Sequence, residues 1–389
     1  MQESIVLRDL SRTRAADSFG AGLGTKGIGA LPEPQIDVEQ VDHRGRAELA
    51  RDPEVAAVCP KMPTRLIEPL GVREPSDDDV AWGVSAVGAD ACQFTGDGVV
   101  VAVLDTGIDS AHSAFAGVTI EEQDFSTMGN GDKQGHGTHC AGTIFGRDVD
   151  GERIGVAPGV SRALIGKVLA DDGRGGSEMT FQGIRWAVEQ GAHVISMSLG
   201  FDFPGLVKSL ADKGWPVDLA TSNALEAYRG NLNMFNALMN MVEAAQGFGT
   251  GTVVVAAAGN ESRRDENPDY EIAASLPAAA TGVLSVGAIG QGDGGFEIGY
   301  FSNTFPQICA PGVNIKSARP GGGTKVMSGT SMACPHAAGV VALWWEAVHA
   351  AGLPFRAETV LAKVLASARL DDLAAVDAVD RGVGLVVAP

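Results

Sequence analysis

The stretch "VVVAVLDTGIDS", residues 99–110, runs six apolar residues into Asp105-Thr106-Gly107. An apolar run without polar alternation is the pattern of a strand covered on both faces, as in a parallel sheet. The same pattern recurs in "RALIGKVL" (162–169), "AHVISMSLG" (192–200), "TVVVAAAGN" (252–260) and "GVLSVGAI" (282–289). Helical segments lie between, such as "SEMTFQGIRWAVEQG" (177–191), with Phe181, Ile184, Trp186 and Val188 at helical spacing and Gly191 as a stop. This alternation predicts an α/β fold, a doubly wound, mostly parallel sheet flanked by helices. In such sheets the site lies outside the carboxyl ends of the strands, and Asp105 and Asn260 fall at two of those ends.

Asp-Thr-Gly alone admits several chemistries. Aspartic proteases use it in pairs, because two close carboxylates must share one proton. This chain has no second Asp-Thr-Gly or Asp-Ser-Gly, and the short β-rich homodimers that supply one from a partner are unlike it. A turn-capping aspartate is the plain structural alternative. Downstream, "GHGTHCAG" (135–142) sets His136 between two glycines at a helix start. A metal site of His136, His139 and Cys140 lacks a matching His/Cys pair, HExxH is absent, and His139 reads as a hydrogen-bonded core residue. Then "MSGTSMACPHAAGVVALWWEAV" (327–348) places Ser331 where a Gly-Thr turn becomes an apolar helix. Pro335 fits only near a helix start, so Ser331 sits at the positive end of the dipole, its N–H free for an oxyanion. An N-cap is the bland reading of that serine.

Together "VLDTGID", "GHGTHCAG" and "GTSMACPHAAG" resemble the three signature blocks of subtilisin-like serine proteases, the subtilases, in the order Asp, His, Ser. "GVAPGVSRALIGKVLADDGRGG" (155–176), "VVVAAAGN" (253–260) and "APGVNIKSA" (310–318) extend the resemblance over roughly residues 80–387. Cys140 after His139 makes the chain look most like the proteinase K branch, whose thiol lies under the catalytic histidine. The resemblance implies Ser331 as nucleophile, His136 as general base and acid, and Asp105 as the group that orients the imidazole. Asn260 would donate to the oxyanion beside the Ser331 N–H. Ser198, Leu199 and Gly200 would form one substrate-binding wall and Ala257, Ala258 and Gly259 the other, favouring an apolar side chain before the cleaved bond.

Residues 1–75 read differently. "ESIVLRDL", "QIDVEQVD", "EVAAVCP" and "TRLIEPL" predict short strands, "RGRAELARDP" a short helix, and "FGAGLGTKGIGALPEP" (19–34) a loop. "AELARDPEVAAVCPKMPTRLIEP" resembles the second half of the inhibitor-type propeptide that assists subtilase folding and then fills the cleft, although residues 19–34 stand where that family has a helix. The expected organisation is a small α+β propeptide at 1–75 and a catalytic domain at 76–389. Self-cleavage is expected between Leu70 and Asp79, around the acidic "REPSDDD" (73–79). An inserted helical segment occupies about 201–250, where "DLATSNALEAYRGNLNMFNALMNMVEAAQGFG" predicts one long helix with a Met/Leu stripe packed in the core.

Composition bounds the rest. The chain of 389 residues is 45% hydrophobic, carries 52 glycines and has a net charge of −19. So acidic a chain argues against nucleic-acid binding, which needs clustered Lys and Arg. No apolar run reaches eighteen residues, so no membrane span is expected. "MQESIVLRDLSRTRAADSF" lacks a signal-peptide core, and five irregularly spaced cysteines do not form a disulfide framework, so a cytoplasmic location is expected. The expected partners are polypeptide substrates and the chain's own propeptide as intramolecular inhibitor. The chemistry requires no cofactor; structural calcium is a family option for acids such as Asp171, Asp172 or Asp265. The function expected is a self-processing serine endopeptidase, the alternatives being a protease dedicated to one precursor and a non-cleaving peptide-binding pseudoprotease.

Overall fold

The computed structural model describes residues 2–11, 33–76, 79–246, 251–373 and 376–389. Expectations for residues 19–32, and for 77 and 78 in the acidic joint, lie outside the described residues.

The N-terminal strands β1 (Gln2–Asp9), β2 (Pro34–Val41) and β3 (Val55–Pro60) form an antiparallel sheet in the order β2-β1-β3, with the helix His43–Leu49 before β3. Its apolar residues Ile5, Leu7, Ile36 and Cys59 join one buried cluster with Phe181, Ile184, Met234 and Phe235 of the body. The sheet thus shares its core with the rest of the chain. "TRLIEPL" was expected to be one strand and is two: β4 (Pro63–Leu66) and β5 (Leu70–Arg73). Pro69 has no N–H to give a ladder and restricts Glu68 before it, so pairing breaks between them. Both strands then pair with the body, in the orders β11-β4-β13 and β18-β19-β5.

The central sheet begins with β6 (Val100–Asp105) and β7 (Thr119–Asp124). The hairpin β8 (Asp148–Val149) and β9 (Glu152–Arg153) follows, then β10 (Arg162–Lys167) and the short β11 (Arg174–Gly176). Next come β12 (Val194–Met197), β13 (Leu199–Phe201), β14 (Val253–Ala257), β15 (Val283–Gly292), β16 (Gly295–Ile298) and β17 (Ile308–Pro311); β18 (Ile315–Ala318) and β19 (Thr324–Ser328) lie outside that sheet. Among the described residues its order is β16-β15-β14-β12-β6-β10-β7, with β17 beside β15, and all pairs are parallel except β15–β16. Strand order reverses at β6, so Asp105 ends the strand at the switch point.

Both faces of these strands are covered, as the uninterrupted apolar runs require. Val101 and Val103 face the cluster that holds the helix Thr330–Ala350, whereas Ala102 and Leu104 face the one that holds the helix Ser177–Glu189. Each such fully buried valine or leucine contributes about 1.5–3 kcal/mol.

The insertion forms the helices Phe203–Asp212 and Val217–Gln246. The Phe235 ring centroid lies 4.7 Å from that of Phe181, tilted, and 5.6 Å from that of Phe201, edge-on, and Met234, Leu238 and Met239 are buried, so the Met/Leu stripe is core packing. The same helix touches the N-terminal sheet, where Asn231 Nδ2 donates to Pro60 O at 2.9 Å.

Candidate active site

Two close approaches of backbone explain the glycines around Asp105 and His136. A Cβ on Gly107 (φ +109°) would lie 2.2 Å from Gly131 O, and a Cβ on Gly137 would lie 2.2 Å from Gly107 O. With glycine at both, the helix His136–Phe145 docks against the end of β6. His136 Nδ1 then sits 2.8 Å and 3.0 Å from the two Asp105 oxygens, and both residues are fully buried. Since a carboxylate only accepts, Nδ1 donates, and in the neutral imidazole Nε2 keeps its lone pair.

Ser331 opens the buried helix Thr330–Ala350, in the first turn, where backbone N–H groups have no intrahelical acceptor. Its Oγ donates to Ile67 O at 3.1 Å, and the buried His136 Nε2 has no hydrogen-bond partner. Thr330 contributes to the Asn260 geometry: its N–H and its Oγ1 both donate to Asn260 Oδ1 at 2.9 Å. The amide is thereby fixed with Nδ2 turned to the cleft, where it donates to Glu68 O at 3.0 Å.

Three supporting groups escape a reading of the sequence. Asp132 accepts from Thr106 Oγ1, Gln134 N, Gly135 N, Thr138 N and Thr138 Oγ1, which ties the Asp105 turn to the His136 helix. Lys167, buried at the end of β10, donates to Thr106 O, Gly131 O and Asp171. Thr330 is the third. The position of Asp132 three residues before the "GHGTH" glycine-histidine pair was the available signal for the first, whereas the others depend on tertiary contacts.

The predicted binding residues divide. Leu199 and Gly200 of β13 pair with Leu66 and Arg65 of β4, and Ser198 Oγ donates to Ser331 O at 3.1 Å. Leu66 N donates to Gly173 O at 2.7 Å on the other side. The Ile67 side chain lies against Gly200, at 3.5 Å from where its Cβ would be, with Ser275 Oγ at 3.9 Å from the same point. Ala257, Ala258 and Gly259 are buried behind this wall. Ala257 pairs with Val286, Ala258 O accepts from Ser275 N and Asn303 Nδ2, and Gly259 N donates to Thr330 Oγ1.

His139 is the core histidine expected, its Nε2 shared between Ile315 O and Lys325 O at 3.1 Å each. Cys140 Sγ lies 3.7 Å from His136 Nδ1 and donates to Ser331 O at 3.4 Å. Burial, and then Asp105, pushes this thiol up, so it stays protonated. Asp105, His136 and Cys140 are close enough to share an ion. The imidazole and carboxylate already hold each other.

Burial, with His136 second, pushes His139 down to about 3, and burial pushes His336 down to about 4. The native state therefore binds fewer protons than the unfolded chain below the ordinary histidine value. Stability present above pH ~6.5 is lost as the pH falls toward about 4, by up to about 1.4 kcal/mol per pH unit for each histidine. The urea midpoint is expected to fall across that window, and less steeply in His336→Gln; an equally steep fall in the variant would remove His336 from the account.

An aspartate that ends a strand of a parallel sheet, followed in the chain by a histidine and a serine that each open a helix, is the arrangement of a serine peptidase. The profile of the Subtilase family (Peptidase_S8) matches residues 96–385, and the chain belongs to that family. It is 35% identical to subtilisin BL of Lederbergia lenta over 270 residues, 68% of this chain and 83% of that protein. It is likewise 35% identical to the major intracellular serine protease of Bacillus subtilis (strain 168) over 256 residues, 64% of this chain and 68% of the relative. The subtilisin-like serine protease Pen c 1 of Penicillium citrinum is 30% identical over 316 residues, 77% of this chain and 67% of its own. The chain is a hydrolase that cleaves peptide bonds in polypeptides, with a mixed α/β fold around a mostly parallel sheet. No helix among the described residues is long and apolar enough to cross a membrane.

Proposed function

We propose that this peptidase is an endopeptidase whose nucleophile is Ser331, with His136 as base and acid and Asp105 as its orienting partner. The observation that carries the reading is the buried Asp105–His136 pair, held at 2.8 Å, with Cys140 Sγ in contact with both His136 Nδ1 at 3.7 Å and Ser331 O at 3.4 Å. In turnover the hydroxyl proton passes to His136 Nε2 as Oγ attacks the carbonyl carbon. The oxyanion is held by Asn260 Nδ2 and the Ser331 N–H, the C–N bond breaks, and His136 returns the proton to the leaving amine. Water then repeats the sequence on the acyl-enzyme, and Asp105 stays ionised throughout. Asn260→Ala is expected to lower kcat about 10²–10³-fold with little change in KM, the scale measured for this donor in subtilisin, of the same family. Near-normal turnover would remove Asn260 from the role.

Residues 1–75 are proposed to act as an intramolecular inhibitor of residues 76–389. β4 runs between β11 and β13 as an added strand, and the turn between β4 and β5 meets Ser331. Its pose is not productive: the serine addresses the Ile67 carbonyl while Asn260 addresses that of Glu68. The bond nearest Ser331 thus lies upstream of the 70–79 joint expected from sequence, because β5 is held against β19. The side chain at the cleaved bond is proposed to be apolar, as Ile67 is against Gly200 and Ser275.

The Cys140 thiol beside His136 supports the proteinase K-like reading of that position. A cytoplasmic site of action is supported by five unpaired cysteines and by relatives named as intracellular serine proteases in Bacillus subtilis and Paenibacillus polymyxa. Of the acids offered for calcium, Asp171 holds the Lys133 and Lys167 ammonium groups, Asp172 accepts from Arg174 N, and Asp265 is exposed. A fluorophosphonate probe should label purified protein at Ser331 once the N-terminal segment is displaced. Absence of labelling in displaced protein would sink the catalytic assignment.

A further inference from the structure

The N-terminal segment marks a subsite that the signature blocks do not encode. Counting back from Ile67, which lies against Gly200, the third side chain is Arg65, directly opposite Gly200 in the β4–β13 register. Its guanidinium spans two carboxylates of the catalytic body: Nη1 lies 3.6 Å from Asp202 Oδ1 and Nη2 3.5 Å from Glu261 Oε1. Neither carboxylate depends on Arg65 for its place. Asp202 caps the insertion's first helix, accepting from Gly205 N at 3.0 Å. Glu261 Oε2 accepts from the buried Asn303 Nδ2 at 2.7 Å, which leaves Oε1 toward the cleft. Both acids therefore remain when the segment leaves. Arg174, opposite Arg65 on β11, adds a like charge, and the two carboxylates outnumber it.

We infer that Asp202 and Glu261 form an acidic subsite selecting substrates with arginine or lysine two residues before the apolar residue at the cleaved bond. The substrate class is a basic polypeptide strand with an aliphatic residue at the cleavage point. The net charge of −19 favours the same class, because a field of that sign concentrates cationic chains at the surface. Asp202 is the residue at which the insertion starts, so the insertion contributes one of the two charges and gives the extra segment a role in choice of substrate. The inference rests on the cleft assignment proposed above.

Two measurements test it. In the first, full-length Ser331→Ala protein is compared by hydrogen exchange at Arg65 and Leu66 with the same protein carrying Arg65→Glu. A third form combines Arg65→Glu with Glu261→Lys; Asn303 Nδ2 keeps its bond to Ala258 O in that form. Exchange should quicken about fivefold with Arg65→Glu and slow again in the charge-swapped pair, the scale of two partly exposed ion pairs. Unchanged exchange, or no recovery, overturns the subsite. In the second, activated wild-type enzyme is offered Thr-X-Leu-Ile peptides with X as Arg, Gln or Glu. The ratio of kcat/KM for Arg over Glu should be about tenfold and fall close to one in Asp202→Asn/Glu261→Gln. A flat profile across cleaved peptides also overturns it. If no peptide is cleaved and the probe does not label Ser331, the catalytic reading has failed, and the exchange measurement alone decides the subsite.

Discussion

Ser331→Ala is expected to reduce peptide hydrolysis by about 10⁶ in kcat, the scale measured for the equivalent loss in subtilisin, a member of the same family. Alanine keeps the buried helix start and the Asn260–Thr330 bonds, so the fold should survive and only the attacking oxygen is lost. The variant also loses the one bond from the side chain to Ile67 O. The strand pairing of β4 with β11 and β13 does not depend on that bond, so the N-terminal segment should stay in the cleft. Intact-mass spectrometry of wild type beside the variant reads both effects together. Trimming of the pure Ser331→Ala protein would assign the processing to another protease, and residual turnover near wild type would displace Ser331 as nucleophile.

Asp105→Asn is expected to cost about 10⁴ in kcat, the size of the same change in another serine protease with this constellation. The reason is the tautomer. Asp105 receives the His136 Nδ1 proton at 2.8 Å, and its Oδ1 also accepts from Thr106 N at 2.8 Å. An asparagine would satisfy Thr106 with its oxygen and turn its NH₂ to Nδ1, forcing the proton onto Nε2. That nitrogen could then no longer accept from Ser331. Thermal stability should change far less than kcat, because the replacement fills the same buried space with its hydrogen bonds kept. A large loss of folding together with activity would point instead to Asp105 as a structural residue. Steady-state kinetics beside calorimetry separates the two outcomes.

Sequence alone made the sheet legible because strands buried on both faces cannot alternate, and "VVVAVLD" or "TVVVAAA" has no polar face to offer. Asp105, His136, Ser331 and Asn260 were legible through local signals: each stands at a strand end or a helix start, flanked by small residues. What stayed hidden is whatever depends on two distant segments meeting. Thr330 matters because it fixes the Asn260 amide, and Lys167 because it reaches Thr106 O and Gly131 O from another strand. None of these pairings leaves a period or a spacing in the chain. The N-terminal strands were individually readable, yet their shared core with the insertion and the break at Pro69 emerge only once β4 enters the body.

If residues 1–75 act as the inhibitor proposed above, their covalent attachment sets the order of events during activation. Held at one end by the N-terminal sheet and at the other by β5 against β19, the segment returns to the cleft at an effective concentration independent of dilution. One cut near Ile67 changes the order of the reaction. The released piece becomes a separate ligand whose occupancy falls as the protein is diluted or as the piece is degraded. On that proposal the enzyme would activate as a one-way step, and crowded preparations, in which the released piece rebinds, would stay quiet longest.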